Sequence, residues 1–295
     1  MGSVRWAFRC GSWTPSRSEW LFAARCVQRE EKDRIGQFVF AKDAKSAMAG
    51  RLLLRKFVCE RMGIPWSQVL LERSPRGKPC LAPTLQVATS SEPSWSFNIS
   101  HQGDYAVLAA QQGAQVGVDV MKTTMPGSSS IPEFFRIMTR QFTAHEWSTI
   151  QSAGSEHRQL AAFYRHWTLK ESFIKAIGTG LGFNLQRAEF HLPPEPLAQG
   201  TVLRQTKMHL DEEPEEEWIF EESLLDADHH VAVALGPADK AVSAPLPPPA
   251  TFTPLSFGEL IASASPLSEE DPAYWDSFSM KAEAPQRQRV AEISG

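Results

Sequence analysis

No stretch of this chain approaches the ~20 consecutive apolar residues that a membrane-spanning helix needs. The opening MGSVRWAFRCGSW lacks the continuous apolar run of a secretory signal, and Trp6 stands where an N-myristoylation pattern requires Ser or Thr. Cysteine is scarce. Cys10, Cys26, Cys59 and Cys80 lie far apart with no CxxC pair, which argues against a zinc knuckle or a disulfide framework and for reduced, buried thiols. A basic run with interleaved aromatics is also missing, so nucleic acid is not an expected partner. What these absences leave is a soluble protein of the cytosol.

What is present is a chain of 295 residues, 42% hydrophobic, long enough for one large domain or two ordinary ones. Its net charge of −4 is unevenly spread. Arg and Lys crowd residues 25–78, whereas DEEPEEE at 211–217 and the segment after 265 are acidic. A basic half in an acidic protein points to a local anion site.

The order of elements predicts an α+β fold. VRWAF reads as a strand and is followed by a polar segment. From Ala41, helical spacing places Ala44, Met48, Leu52, Arg55 and Val58 on one side, and Gly63 and Pro65 then supply the stop. VLLERS and KPCLA read as short strands about a turn at Pro75, Arg76 and Gly77, and YAVLAA and VGVDV as two more. Thr143 and Glu146 have capping-box spacing, with Phe142 and Trp147 as a staple. A long helix over 158–177 follows, then strands near 187–192, 201–209 and 217–222, and HHVAVAL at 229–235. GDYAVLAA and ADHHVAVAL echo one another, as do RLLLRKFVCERMGI and HWTLKESFIKAIGT. The echo predicts two pseudo-symmetric halves, 1–110 and 111–237, with a site between them. The Pro-rich residues 238–295 read as an extended or partly disordered tail, although Phe252, Phe257, Trp275 and Phe278 would allow it to pack on the body.

Three places have the residue types for chemistry. In VGVDV, alternation puts Gly117, Asp119 and Met121 on the face opposite Val116, Val118 and Val120, and a carboxylate there needs a cation or a donor. In HWTLKESFIKAIGTGLGF, Glu171 and Lys175 share the polar face of a helix. Taken alone they are an exposed i,i+4 pair worth roughly 0.2–0.5 kcal/mol; with Asp119, Glu171 forms an oxygen-donor set suited to Mg²⁺. RSPRGKP is a basic turn whose backbone is free to face an anion. GTGLG is not a dinucleotide fingerprint, because it follows a helix.

GVDVM at 117–121, WTLKESFIK at 167–175, SPRGKP at 74–79 and FNISHQGDYAV at 97–107 together resemble the 4′-phosphopantetheinyl transferases. The resemblance runs from VRWAF through HHVAVAL and continues into the tail as far as DPAYWDSF. It implies a monomer of two α/β halves with coenzyme A between them. It also implies Mg²⁺-dependent transfer of phosphopantetheine to a serine of apo acyl carrier proteins or carrier domains, of fatty acid synthase and other types, with release of 3′,5′-ADP. This is the activity of a holo-[acyl-carrier-protein] synthase. Carried onto this chain, Asp119 and Glu171 are the metal ligands. Arg34, the turn of Arg73, Ser74, Pro75, Arg76, Gly77 and Lys78, and the strand of Asn98, Ile99, Ser100 and His101 bind coenzyme A. So do Glu171, Ser172, Phe173, Ile174 and Lys175. Glu171 and Lys175 are the catalytic pair, the proton goes to Glu171 or a metal-bound water, and Gln102 orients the incoming serine. Met121 stands where many bacterial relatives have a third acidic ligand, so water completes the set. The competing reading is a non-catalytic coenzyme A or acyl-carrier binding module; a scaffold built around the tail is a third.

Overall fold

The apolar residues of VRWAF form β1 (Ser3–Phe8) in the computed structural model, which describes residues 2–88, 93–238 and 247–285. The polar segment after it holds two helices, α1 (Arg17–Arg25) and α2 (Arg29–Gly36). The start of α1 is a Ser16/Glu19 capping box, an S-x-x-E signal visible in the sequence. The helix α3 (Ala41–Met62) is buried along most of its length and ends where Gly63 turns left-handed at φ 74°. Arg55, placed by spacing on its apolar side, is indeed internal: its guanidinium donates to the carbonyls of Trp66 at 2.6 Å and Val69 at 3.1 Å. The strands β2 (Leu71–Arg73) and β3 (Pro79–Leu81) pair about the basic turn. They are followed by α4 (Pro83–Ala88), β4 (Trp95–Gln102) and β5 (Tyr105–Gln112).

The second half repeats this order with insertions: β6 (Ala114–Lys122), α5 (Ile131–Ile137), α6 (Ala144–Gln151), α7 (Glu156–Ile177), β7 (Ala188–His191), β8 (Lys207–Leu210), β9 (Glu213–Glu215), β10 (Ile219–Asp226) and β11 (His229–Pro237). The capping box and staple start α6 as read, with the Phe142 and Trp147 rings edge to face at 5.2 Å. Within 201–209 regular strand begins only at Lys207; before it, Leu203 makes an isolated bridge to Glu222.

The echo of the halves is structural. The central strand of one sheet is β5, between β1 and β4, and that of the other is β11, between β10 and β6. Each half carries a 22-residue helix, α3 or α7, closed by a left-handed glycine, Gly63 or Gly178. One apolar layer joins the sheets, with Val107 and Ala109 against Val118, Val120 and Val233. The helices cover the outer faces, α3 over Ala106 and Leu108, and α7 over Ala232 and Ala234. The result is an α/β/β/α stack, an α+β fold in which a boundary at 110/111 falls inside β5, two residues short of its end.

Residues 247–285 lie along the first half. A short strand, β12 (Thr253–Pro254), runs parallel to β1, and two helices follow, α8 (Phe257–Leu260) and α9 (Pro272–Ser279). Phe257 stacks on Trp13 at 5.1 Å, and Phe278 and Tyr274 stack on Trp20 at 4.0 and 6.0 Å. Trp20 is 1% exposed, so this stretch completes the core around α1 instead of trailing from it. The remainder of the expected tail, 239–246 and 286–295, lies outside the described residues.

Candidate active site

Where the halves meet, β4 and β6 run side by side without sharing a backbone ladder. Alternate side chains of β4 bridge them. Asn98 Oδ1 accepts from the Val118 amide at 2.9 Å, Ser100 Oγ from Val120 at 3.4 Å, and Gln102 Oε1 from Lys122 at 2.7 Å. The three side chains therefore satisfy edge donors of β6 that would otherwise be costly to bury.

On the other side β6 meets α7 at unusually close range. A Cβ placed on Gly117 would lie 2.0 Å from the Ser172 carbonyl oxygen and 2.5 Å from the Ala176 nitrogen, so only glycine permits this approach. Two residues on, Asp119 consequently faces the turn of α7 that carries Glu171 and Lys175.

Two adjoining cavities open there, sharing Pro79, Ile99, Glu171 and Lys175 in their walls. One, of about 380 Å³, is lined by Arg34, Arg51, Arg73 and His101 on one side and by Asp119 and Glu171 on the other. The second, of about 510 Å³, has largely apolar walls that include Trp167, Ile174, Phe183 and Leu185. A polyanion fits the first, and an uncharged arm or a partner's side chain fits the second.

The electrostatics are those of a site that needs a cation. Asp119 is 8% exposed, and Ser100 Oγ donates to its Oδ1 at 3.3 Å, while its buried Oδ2 has no hydrogen-bond partner. Burial, opposed by Lys175 and reinforced by Glu171, pushes its pKa up to about 7. Burial likewise raises Glu171 against the pull of Lys175. The Lys175 ammonium is pushed down by burial, with Asp119 and Glu171 opposing. An orphaned carboxylate oxygen beside a second carboxylate fits a hard divalent cation, which takes oxygen donors and retains waters.

The cationic wall is more elaborate than its sequence signal. Glu31 of α2 receives Arg51 at 2.9 Å, Arg73 at 3.4 Å and Arg34 at 3.5 Å, three guanidinium groups about one carboxylate. Arg51 is 4% exposed and its buried Nη2 has no partner, leaving a donor for an incoming anion. Sequence reading missed Arg51 and Glu31. The available signal was Arg51 one turn before the buried Arg55 on α3. His101 opens on the same cavity, where desolvation, Lys175 and Arg34 lower its pKa.

Other predicted residues have different duties. Ser74 Oγ accepts the Lys78 amide within the basic turn, and neither it nor Pro75 lines either of the two cavities. Arg76 donates to the Gly178 carbonyl at 2.6 Å and Lys78 to that of Lys175 at 3.4 Å, so the turn caps the C-terminal end of α7 while lining the apolar cavity. Ser172 is fully buried with its hydroxyl on the Leu169 carbonyl, and Phe173 packs among Phe183, Trp218 and Phe220. These two are core residues that line neither cavity, whereas Ile174 does reach a cavity wall. Gln102 lies outside both walls, and its carbonyl oxygen accepts the Lys122 amide of β6. Lys170, adjacent to Glu171, turns inward and pairs with buried Glu146 at 2.6 Å.

Comparison with known proteins agrees with this geometry. The family model for the N-terminal part of 4′-phosphopantetheinyl transferase matches residues 11–113, and that of the 4′-phosphopantetheinyl transferase superfamily matches 115–234. The protein of Xenopus laevis named L-aminoadipate-semialdehyde dehydrogenase-phosphopantetheinyl transferase is 57% identical over 98% of this chain and 96% of its own length. The human protein of the same name is 54% identical over 97% and 94%. A phosphopantetheinyl transferase of Thraustochytrium is 37% identical over 78% and 77%. Two family models meeting at the turn between β5 and β6, and relatives aligned almost end to end, show that the chain belongs to the 4′-phosphopantetheinyl transferase superfamily.

Proposed function

We propose that this protein transfers the 4′-phosphopantetheine group of coenzyme A to a serine hydroxyl of an apo acyl carrier protein or carrier domain, releasing 3′,5′-ADP, as a holo-[acyl-carrier-protein] synthase does. The observation that carries the reading is the placement of Glu171 and Lys175 in the wall shared by an arginine-lined cavity and a largely apolar one, with Asp119 beside them in the first. Coenzyme A has the matching polarity: phosphates at one end, an uncharged arm at the other, and the reacting phosphorus between them.

Asp119 and Glu171 would hold Mg²⁺, which when bound neutralises charge on the pyrophosphate. Lys175 places an ammonium beside the same oxygens, where charge grows as the serine oxygen bonds to phosphorus and the bond to the ADP oxygen breaks. Arg34, Arg51, Arg73 and His101 grip the phosphates of the nucleotide end. The serine proton goes to Glu171 or to a water held at this site. Because the duplication puts both halves in one chain, the cleft is complete in a monomer. The cysteines are all free thiols, a state suited to the cytosol. Among the described residues no helix is long and apolar enough to cross a membrane.

The test is incubation with coenzyme A, Mg²⁺ and a panel of apo carrier proteins, read by intact mass. A gain of one phosphopantetheine on a carrier supports the reading, and unchanged masses throughout the panel contradict it.

A further inference from the structure

The β7–β8 hairpin turns Phe190 and Met208 into the core beneath α7 and leaves Glu189, His191 and His209 on its opposite face. His209 pairs directly across from Glu189, and His191 is two residues along the same strand. One ligand atom from each of the three lies within 4.8 Å of the others, and His191 Nε2 is 2.8 Å from Glu189 Oε1. The helix α6 adds a third imidazole. His145 stacks on His191 with ring centroids 4.1 Å apart, and His191 meets His209 at 4.3 Å. None of these residues lines either cavity of the transfer site.

The cluster is held in place from below. Glu146, next to His145, accepts the Phe190 amide at 3.0 Å and pairs with the buried Lys170, which links α6 to β7. The competing cation on this face is Lys207, opposite His191, which is exposed and free to extend into water.

We propose that Glu189, His191 and His209 form a second metal site, for an ion of the Zn²⁺ class, which ties β7 to β8, with His145 of α6 packed as a buttress on His191. Imidazole with one carboxylate selects borderline divalent ions, whereas the all-oxygen pair Asp119 and Glu171 selects hard ones. Three protein ligands leave a coordination position for water. The two sites therefore sort Zn²⁺ from Mg²⁺ by donor chemistry.

The experiment is calorimetric titration of the full chain with Zn²⁺ in saturating Mg²⁺, with Co²⁺ and its visible absorption bands as a second probe. One Zn²⁺ binds per chain and raises the melting temperature. Binding persists in Glu171→Gln, disappears in His191→Ala and in His209→Gln, and weakens about 10-fold in His145→Ala. The proposal is overturned by absence of zinc binding, by uptake that survives in the His191→Ala/His209→Gln double variant, or by its loss in Glu171→Gln, which would assign the ion to the carboxylate site.

Discussion

Lys175 reaches from α7 across to β4 and donates to the Ile99 carbonyl oxygen at 2.8 Å. Buried in the cavity wall beside both Asp119 and Glu171, it is not one partner of an exposed i,i+4 pair. Lys175→Met should lower kcat for transfer by roughly 10²-fold or more, the scale of removing a donor aimed at developing charge. Lys175→Arg should recover only part of the rate, because a planar guanidinium does not replace a compact ammonium. The check is kcat on a purified apo carrier beside thermal melts of both variants; near-wild-type kcat in Lys175→Met removes the lysine from the chemistry.

Asp119→Ala and Glu171→Ala should each nearly abolish transfer, and the double variant should be little worse than either single one, because the two carboxylates act as a unit. Fully multiplicative losses in steady-state rates would show that they work separately.

The three arginines about Glu31 make a different kind of prediction. Arg34→Met, Arg51→Met and Arg73→Met should raise the coenzyme A KM more than they lower kcat. Dephospho-coenzyme A, which lacks the 3′-phosphate, should bind wild type less tightly than coenzyme A in calorimetry, and Arg51→Met should narrow the gap. Equal affinity of wild type for the two ligands would show that these groups do not read the 3′-phosphate.

Stability should fall in mild acid for a reason remote from the cavities. Burial, aided by Arg165, holds the pKa of His166 and of His230 down to about 4. His166 Nε2 and His230 Nδ1 are buried without partners, so neither ring has a site prepared for a second proton. Above the unfolded pKa of about 6.5 both states are neutral and the contribution is fully present. As pH falls below that value the unfolded chain takes up protons that the folded chain refuses. Stability is then lost by about 1.4 kcal/mol per pH unit for each histidine, until the folded pKa is reached. Urea midpoints between pH 7 and pH 4.5 should show a shallower fall in His166→Asn than in wild type, and an identical slope would contradict the assignment.

The sequence showed most clearly what depends on local spacing. The glycine-ended helices, the capping box at Thr143 and the alternation that turns Asp119 toward a helix all follow from periods of 3.6 or 2. That Asp119 and Glu171 come to one cavity was legible because both sit in short distinctive strings. What periodicity does not carry is distant partnership. Gln102 looks available in NISHQGDY, yet its carbonyl oxygen is taken by Lys122, 20 residues away. Ser172 lies on the polar stripe of α7 by spacing, but Gly117 lets β6 press against that stripe and buries it. The helix α1 was hidden in a polar segment because the aromatic residues that cover Trp20 come from Tyr274 and Phe278, some 250 residues later.

The most direct measurement counts 3′,5′-ADP released against holo-carrier formed, with coenzyme A and one apo carrier, in the presence of Mg²⁺ and after its removal with a chelator. The account predicts one ADP per modified serine with Mg²⁺, and neither product in the chelated sample or in Glu171→Gln. Coenzyme A that binds with full affinity while no ADP appears, at any Mg²⁺ concentration and with every carrier tried, would make this cleft a binding site and not a transferase.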